Sequence, residues 1–321
     1  MAENSNTLQD AQSRGRQFRR FILLALALHI PLFVYPVLRI GDWFAWPVWL
    51  TLVVMIPVAS SQVISRYLLR NQAGQSAQWL KQIADMILGV SPVLLMSMMV
   101  FELLVFVADM PVEMAAWSVV TVTFCAGLIG SVVAMTPMVK TFRLRSPRLT
   151  APVRFIQITD VHIGSRSKGF LDKVITRINR EKPAFLCITG DFIDATGVPE
   201  SELVALKSVI GPIYYCIGNH EKYEDLDEIL QRLRNLGVNV LRNESLFYRE
   251  DLQVIGIDDM EDPLQVEKQL KQIELDPDAF KLLLYHRPRG LEAACNHNIE
   301  LTLSGHTHNG QIFPFNLLVG R

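Results

Sequence analysis

The chain has 321 residues, half of them hydrophobic, and a formal net charge of −1. That length holds one membrane bundle and one further domain, and a charge so close to zero offers no basic surface of the kind that advertises nucleic acid. The four cysteines, Cys125, Cys187, Cys216 and Cys295, show no paired spacing, which excludes a disulfide framework and suits buried, reduced thiols.

Residues 1–20 read as a polar and basic tail, with Met1–Gln12 expected to lack fixed structure. Four apolar stretches follow, Phe21–Leu38, Ala45–Leu69, Met86–Val107 and Met114–Val139. Each is close to the ~20 residues that a bilayer crossing needs, so 21–139 is expected to be a four-helix transmembrane region. Lys and Arg set its orientation. Arg14, Arg16, Arg19 and Arg20 precede the first span, Arg70 and Lys81 lie between the second and third, and Lys140, Arg143, Arg145 and Arg148 follow the fourth. The other two connections carry only Arg39, and Asp109 with Glu113. All three basic segments therefore belong on the cytoplasmic side. The expectation is a multi-pass protein of the inner (plasma) membrane with everything after the fourth span in the cytoplasm. Arg19-Arg20 before Phe-Ile-Leu-Leu resembles a twin-arginine export signal, but no small-x-small cleavage site follows, and Pro31, Tyr35 and Pro36 stand where it would fall.

Within the spans Glu102 asks for an explanation, since a carboxylate at depth costs roughly 2.5–3.5 kcal/mol on insertion scales. It lies towards the outer end, where Arg39 is a candidate partner. A structural ion pair competes there with a role in admitting a lipid headgroup. His29, Trp43, Trp46, Trp49 and Trp79 fit packing and interfacial anchoring. The linker 140–152, broken by Pro147 and Pro152, is a topology determinant that anionic lipids would also attract, by ~1 kcal/mol per charge.

From 153 to 321 the composition changes. Five short apolar runs each end in a polar residue: Val153–Thr159 before Asp160-Val-His162, Phe185–Thr189 before Gly190-Asp191, Ile213–Ile217 before Gly218-Asn219-His220-Glu221, Lys281–Tyr285 before His286, and Ile299–Leu303 before Ser304-Gly305-His306-Thr307-His308. Such runs suit strands buried on both faces, and open α/β sheets place functional loops at the carboxyl ends of their strands. Imidazole and carboxylate donors suit Mn, Fe or Zn, and no cysteine stands among them. Two cations about 3.5–4 Å apart need a bridging anion such as an aspartate. Between these runs the period becomes helical, at Phe170–Ile178 and at Leu226–Leu236, where Gly237 reads as the C-cap glycine. Val238–Leu241, Leu246–Tyr248 and Leu252–Ile257 read as strands and Pro263–Ile273 as a helix.

The ordered motifs D-x-H, G-D, G-N-H-[ED], H and G-H-x-H, spread from Pro152 to Gln311, resemble the calcineurin-like metallophosphoesterase family. The resemblance implies an α/β fold, a two-sheet αββα sandwich. It implies that Asp160, His162, Asp191 and His308 hold one divalent ion and Asp191, Asn219, His286 and His306 a second, with Asp191 as bridge and Mn ahead of Fe or Zn. By the same resemblance His220 is not a ligand; it protonates the leaving group or stabilises the transferring phosphoryl, and Glu221 orients it. Asn309 departs from the G-H-T-H-G-G-Q that relatives usually show, at a turn where Asn tolerates left-handed backbone. Relatives also continue for several more strands, whereas here Ile312–Val319 offers one before Arg321. The implied activity is that of a membrane-anchored phosphohydrolase. It would cleave a phosphodiester, pyrophosphate or phosphomonoester by hydroxide attack, on a phosphorylated small molecule or a lipid-linked substrate resembling UDP-diacylglucosamine. The alternatives are a phosphodiesterase for soluble nucleotides and a non-catalytic membrane sensor. Neither nucleic acid nor a protein partner is implied.

Overall fold

A computed structural model describes residues 26–69 and 75–310. The N-terminal tail, the beginning of the first predicted span and the predicted strand Ile312–Val319 lie outside those residues. The chain divides into two compact units at Ala134/Met135.

The first unit is helical. A π-helical turn, Ile30–Val34, runs into α1 (Tyr35–Trp43) and is closed by a hydrogen bond from the Tyr35 N–H to Ile30 O. Pro36 lacks an N–H for an ordinary i→i−4 bond and its ring crowds the carbonyl four residues back, which shifts the ladder at this point. Three further helices follow: α2 (Val48–Val63), α3 (Gln75–Ala108) and α4 (Val112–Met135). Among the described residues three helical stretches, Val48–Leu68, Ser76–Ala108 and Val112–Met135, are long and apolar enough to cross a membrane. The third starts well before the predicted Met86. Its first turns are polar but helix-forming, and hydropathy detects only the part that a bilayer would cover. The fourth stops at Met135, short of the predicted Val139, because Pro137 disfavours helical backbone at the residue before it.

Glu102 in α3 is held by α1. The Arg39 Nε donates to its Oε1 at 2.6 Å, and the Tyr35 hydroxyl lies 2.6 and 2.7 Å from its two oxygens. The predicted partnership with Arg39 is therefore present, with Tyr35 as a further donor. Arg39 also reaches Asp42 at 2.9 Å, and Arg66 pairs with Asp85 at 2.7 Å.

The second unit is a sandwich of two four-stranded sheets. The first, wholly parallel, runs β1 (Phe155–Ile158), β2 (Phe185–Thr189), β3 (Ile213–Cys216), β4 (Val238–Val240) in spatial order. The second runs β5 (Glu244–Arg249), β6 (Leu252–Ile257), β7 (Phe280–Tyr285), β8 (Leu301–Leu303). Here β5 is antiparallel to β6, and the other pairs are parallel.

The pleat explains why the central strands are mostly apolar. In β2, Leu186 and Ile188 pack beneath α5 (Lys168–Arg180) and α6 (Leu226–Asn235), against Leu171, Ile175 and Leu230. Phe185 and Cys187 point the other way, into a layer shared with Val254, Leu282 and Leu284 of the second sheet. On the outer face of that sheet Ile255, Leu283 and Tyr285 meet Val266 and Leu270 of α7 (Gln265–Leu270) and Ala294 of α8 (Leu291–Asn296). Helix, sheet, sheet, helix is thus the consequence of strands with two buried faces. Gly237 follows α6 at φ 82°, the left-handed position that closes a helix.

Cys187 and Cys216 are buried free thiols. The helix α7 is shorter than the predicted Pro263–Ile273, and β5 extends further than the predicted Leu246–Tyr248. At this sheet edge hydrogen bonding to β6 continues through exposed polar residues that carry no apolar signal.

Candidate metal centre

Five parallel strands, three from the first sheet and two from the second, deliver their ends to one rim. Beyond β1 stand Asp160 and His162, beyond β2 Asp191, beyond β3 Asn219 and His220, beyond β7 His286, and beyond β8 His306 and His308. The backbone there turns sharply. Asp160, His162, Asp191, His306 and His308 all have positive φ, between 48° and 73°. That conformation is uncommon for non-glycine residues and persists where surrounding structure over-determines it, as at functional sites. Two glycines make the crowding possible. A Cβ on Gly218 would fall onto Asp191 Oδ1, and one on Gly305 onto Thr159 Oγ1 and Asp160 Oδ2.

Seven of the predicted residues, Asp160, His162, Asp191, His220, His286, His306 and His308, fall into three groups of neighbouring donors, and Asn219 follows β3 at the same rim. Ligand atoms of Asp160, His162 and His308 lie within 4.8 Å of one another, as do those of Asp191, His286 and His306. A third group of the same span joins His162, Asp191 and His220. The individual distances are short: His286 Nε2 to Asp191 Oδ2 3.0 Å, and His308 Nε2 to Asp160 Oδ1 3.2 Å. His220 sits higher, its side chain 45% exposed, with Nε2 4.0 Å from Asp191 Oδ2 and its ring edge-on to His162 at 4.7 Å.

These donors fit divalent cations. The His286 Nδ1 lies 2.8 Å from Thr189 O; with Nδ1 as the donor in that bond, Nε2 is the nitrogen turned towards Asp191 and the one a cation would take in place of a proton. Ring nitrogens face each other at 3.3 Å in two places, His162 with His308 and His286 with His306. Each such contact is bridged either by a proton or by a cation. Asn219 Oδ1 is buried without a hydrogen-bond partner, an expensive condition for an amide oxygen unless something electrophilic meets it.

Electrostatics agree. Burial disfavours ionisation of Asp160, yet hydrogen bonds from His308 and Thr159 hold it at about 2. Burial likewise opposes charge on Asp191, and the His286 contact lowers it nonetheless. At His162 and His286 burial works downward, but Asp194 and Asp191 respectively prevail and raise both. His306 is lowered by burial and by the charges of His286 and Arg287.

Two features were not legible in the sequence. Asp194 accepts from the Ser165 N–H at 2.9 Å and lies 3.3 Å from His162 Nδ1, which orients that ring with Nε2 towards the cluster. Its signal was present: an acid three residues after Asp191 in the same loop. The second is a correction. Among the described residues Glu221 makes no hydrogen bond to the His220 ring. Its fully buried carboxylate accepts four backbone amides instead, Phe192 at 2.6 Å and Ile193 at 3.1 Å on Oε1, Asp191 at 3.1 Å and Gly218 at 2.9 Å on Oε2. Because those amides lie in the β2 and β3 loops, Glu221 fixes the spacing of Asp191 and Asn219. Burial and the charge of Asp191 push Glu221 up against this amide field. The Glu221→Gln variant has one acceptor oxygen, so two amides lose their partner at ~1–3 kcal/mol each. Its unfolding midpoint in detergent is expected to fall together with metal content; an unchanged midpoint would dismiss the clamp.

Two layered sheets whose strand ends gather a His, Asp and Asn donor set define a metallophosphoesterase domain. The sequence profile of the family described as calcineurin-like phosphoesterase, whose members use divalent metal ions, matches residues 153–310. An uncharacterised metallophosphoesterase of Campylobacter jejuni is 34% identical over 57% of this chain and 51% of its own length. One from Helicobacter pylori is 31% identical over 57% of this chain and 52% of its own. A transmembrane protein with metallophosphoesterase domain from Bos taurus is 30% identical over 62% and 50%. The chain thus spans about half the length of the curated relatives it matches.

Proposed function

We propose that the chain is a membrane-anchored, metal-dependent phosphohydrolase with its catalytic domain in the cytoplasm. The observation that carries this reading is the pair of donor clusters, Asp160, His162 and His308 beside Asp191, His286 and His306, joined by the group in which His162 and Asp191 meet. Asp160, His162, Asp191 and His308 would hold one ion, and Asp191, Asn219, His286 and His306 the other. When bound, two such ions, Mn foremost, polarise a phosphoryl oxygen and activate a water. Asp191 supplies the negative charge common to both positions. His220, half exposed at the rim, donates a proton to the departing oxygen. Glu221 and Asp194 keep the loops and the His162 ring in register for that geometry. The distribution of Lys and Arg around the spans supports the cytoplasmic placement.

Membrane attachment favours a lipid-linked phosphate or pyrophosphate as substrate.

The test is direct. The full chain, purified in detergent and loaded with Mn, is expected to retain two ions and to hydrolyse a chromogenic phosphodiester, with chelation abolishing hydrolysis and Mn restoring it. Retention of metal and of phosphorylated ligand without product release would establish the sensor instead. Failure to retain any ion would remove the metal centre altogether.

A further inference from the structure

The linker has two parts with different fates. Its second part is docked: Arg148 pairs with Glu300, the Thr150 N–H and hydroxyl both donate to Asp251, and Arg249 donates to Ala151 O at 3.0 Å. Its first part, residues 138–145, is neither helix nor strand and is exposed at every position. Met138 is 75% exposed, Phe142 81% and Leu144 68%. Interleaved with them are Lys140, Arg143 and Arg145, for which no acidic partner exists among the described residues. One short stretch therefore presents four large apolar side chains, Val139 being the least exposed of them, and three cations without an acidic partner among the described residues.

A patch of that kind needs a surface that is apolar and anionic together. Chain continuity limits the choice. Leu144 lies nine residues beyond Met135, the end of α4, and a chain that long reaches at most ~30 Å at about 3.4 Å per residue. The bilayer that α4 is long and apolar enough to cross is the surface within that reach. Its interface accepts Phe and Leu side chains at the acyl boundary, and Lys and Arg heads at the phosphate level.

We propose that residues 138–145 form an interfacial segment that binds acidic phospholipid. Phe142, Leu144 and Met138 insert at the acyl boundary, while Lys140, Arg143 and Arg145 bind lipid phosphates. Arg148, neutralised by Glu300, takes no part. The proposal rests on the membrane-anchored half of the functional reading and is independent of hydrolysis. By tying down the linker, acidic lipid would limit the positions the catalytic domain can take.

The experiment uses the full chain in nanodiscs, with Cys125 and Cys295 replaced by serine and an environment-sensitive fluorophore on Phe142→Cys. Lys207→Cys carries the control label. In phosphatidylcholine with phosphatidylglycerol the emission at 142 is expected to shift to the blue relative to phosphatidylcholine alone, with position 207 unchanged. High salt, which screens exposed charges, should reverse most of the shift, and so should joint replacement of Lys140, Arg143 and Arg145 by glutamine. Equal emission in the two lipids overturns the proposal. So does a shift that grows with protein concentration, which would mean a second copy covers the segment. If the triple variant fails to express, the salt titration decides alone. Hydrolysis of a soluble phosphodiester is expected to be the same in both lipids, so a failure here is distinguishable from a failure of the catalytic reading. A chain that stays soluble without detergent or lipid would instead remove the membrane reading itself.

Discussion

His220→Ala is expected to leave metal content unchanged and to lower turnover by ~10²–10⁴-fold, the usual contribution of a positioned general acid. The reasons are geometric. The ring is half exposed and stands above the cluster, farther from Asp191 than His286 is, at 4.0 Å against 3.0 Å. Its removal opens no core cavity, so stability should hardly move. The structural link to the site runs through the backbone, since the His220 N–H donates to Asp191 Oδ1 at 2.8 Å, and alanine keeps that bond. Metal analysis beside steady-state hydrolysis separates the possibilities. Because His220 also falls within the third donor group with His162 and Asp191, loss of one ion in this variant would make it a ligand and end its assignment as proton donor.

Asp191→Asn is expected to impair both metal retention and turnover, by more than the 10–100-fold that outer-shell changes typically cost. The substitution keeps the shape of the side chain, and its carbonyl oxygen can still accept the His220 N–H. What disappears is the negative charge shared by two donor clusters. With the carbonyl oxygen kept on the His220 N–H, the new NH₂ takes the place of Oδ2 facing His286 and puts a donor where a ligand oxygen is needed; with the amide turned over, the bond from the His220 N–H is lost. Asp191 is almost fully buried, at 2% exposure, so solvent does little to screen the lost charge. Two ions per chain falling to one or none, by elemental analysis of folded protein, is the expected result. Full retention with full activity would show that Asp191 bridges nothing.

Much of the second unit was legible because its central strands, β2, β3, β6 and β7, are short and buried on both faces. Phe185–Thr189 and Leu252–Ile257 read from composition with the bounds the structure shows. The motif residues could be grouped because parallel strands send their carboxyl ends to the same side, which makes a list of strand-end histidines and aspartates a statement about space. Helix ends were less legible. Hydropathy finds the crossing portion of α3, while its polar first turns are helical for reasons of propensity that an apolar pattern does not register.

By itself the sequence determined where the apolar strands lie, which side chains end them, which stretches are long and apolar enough to cross a bilayer, and that Arg39 was available to Glu102; β1 and β8, expected to be buried, are half-buried. Only the tertiary structure decided that Glu221 serves the β2 and β3 loops and not His220, that Asp194 turns His162, and that Arg148 is spent on Glu300. Side-chain chemistry and periodicity are local, and one chain carries them openly. A carboxylate's choice among amides 28 to 30 residues away depends on how two sheets are stacked and in what register, and no local pattern encodes that.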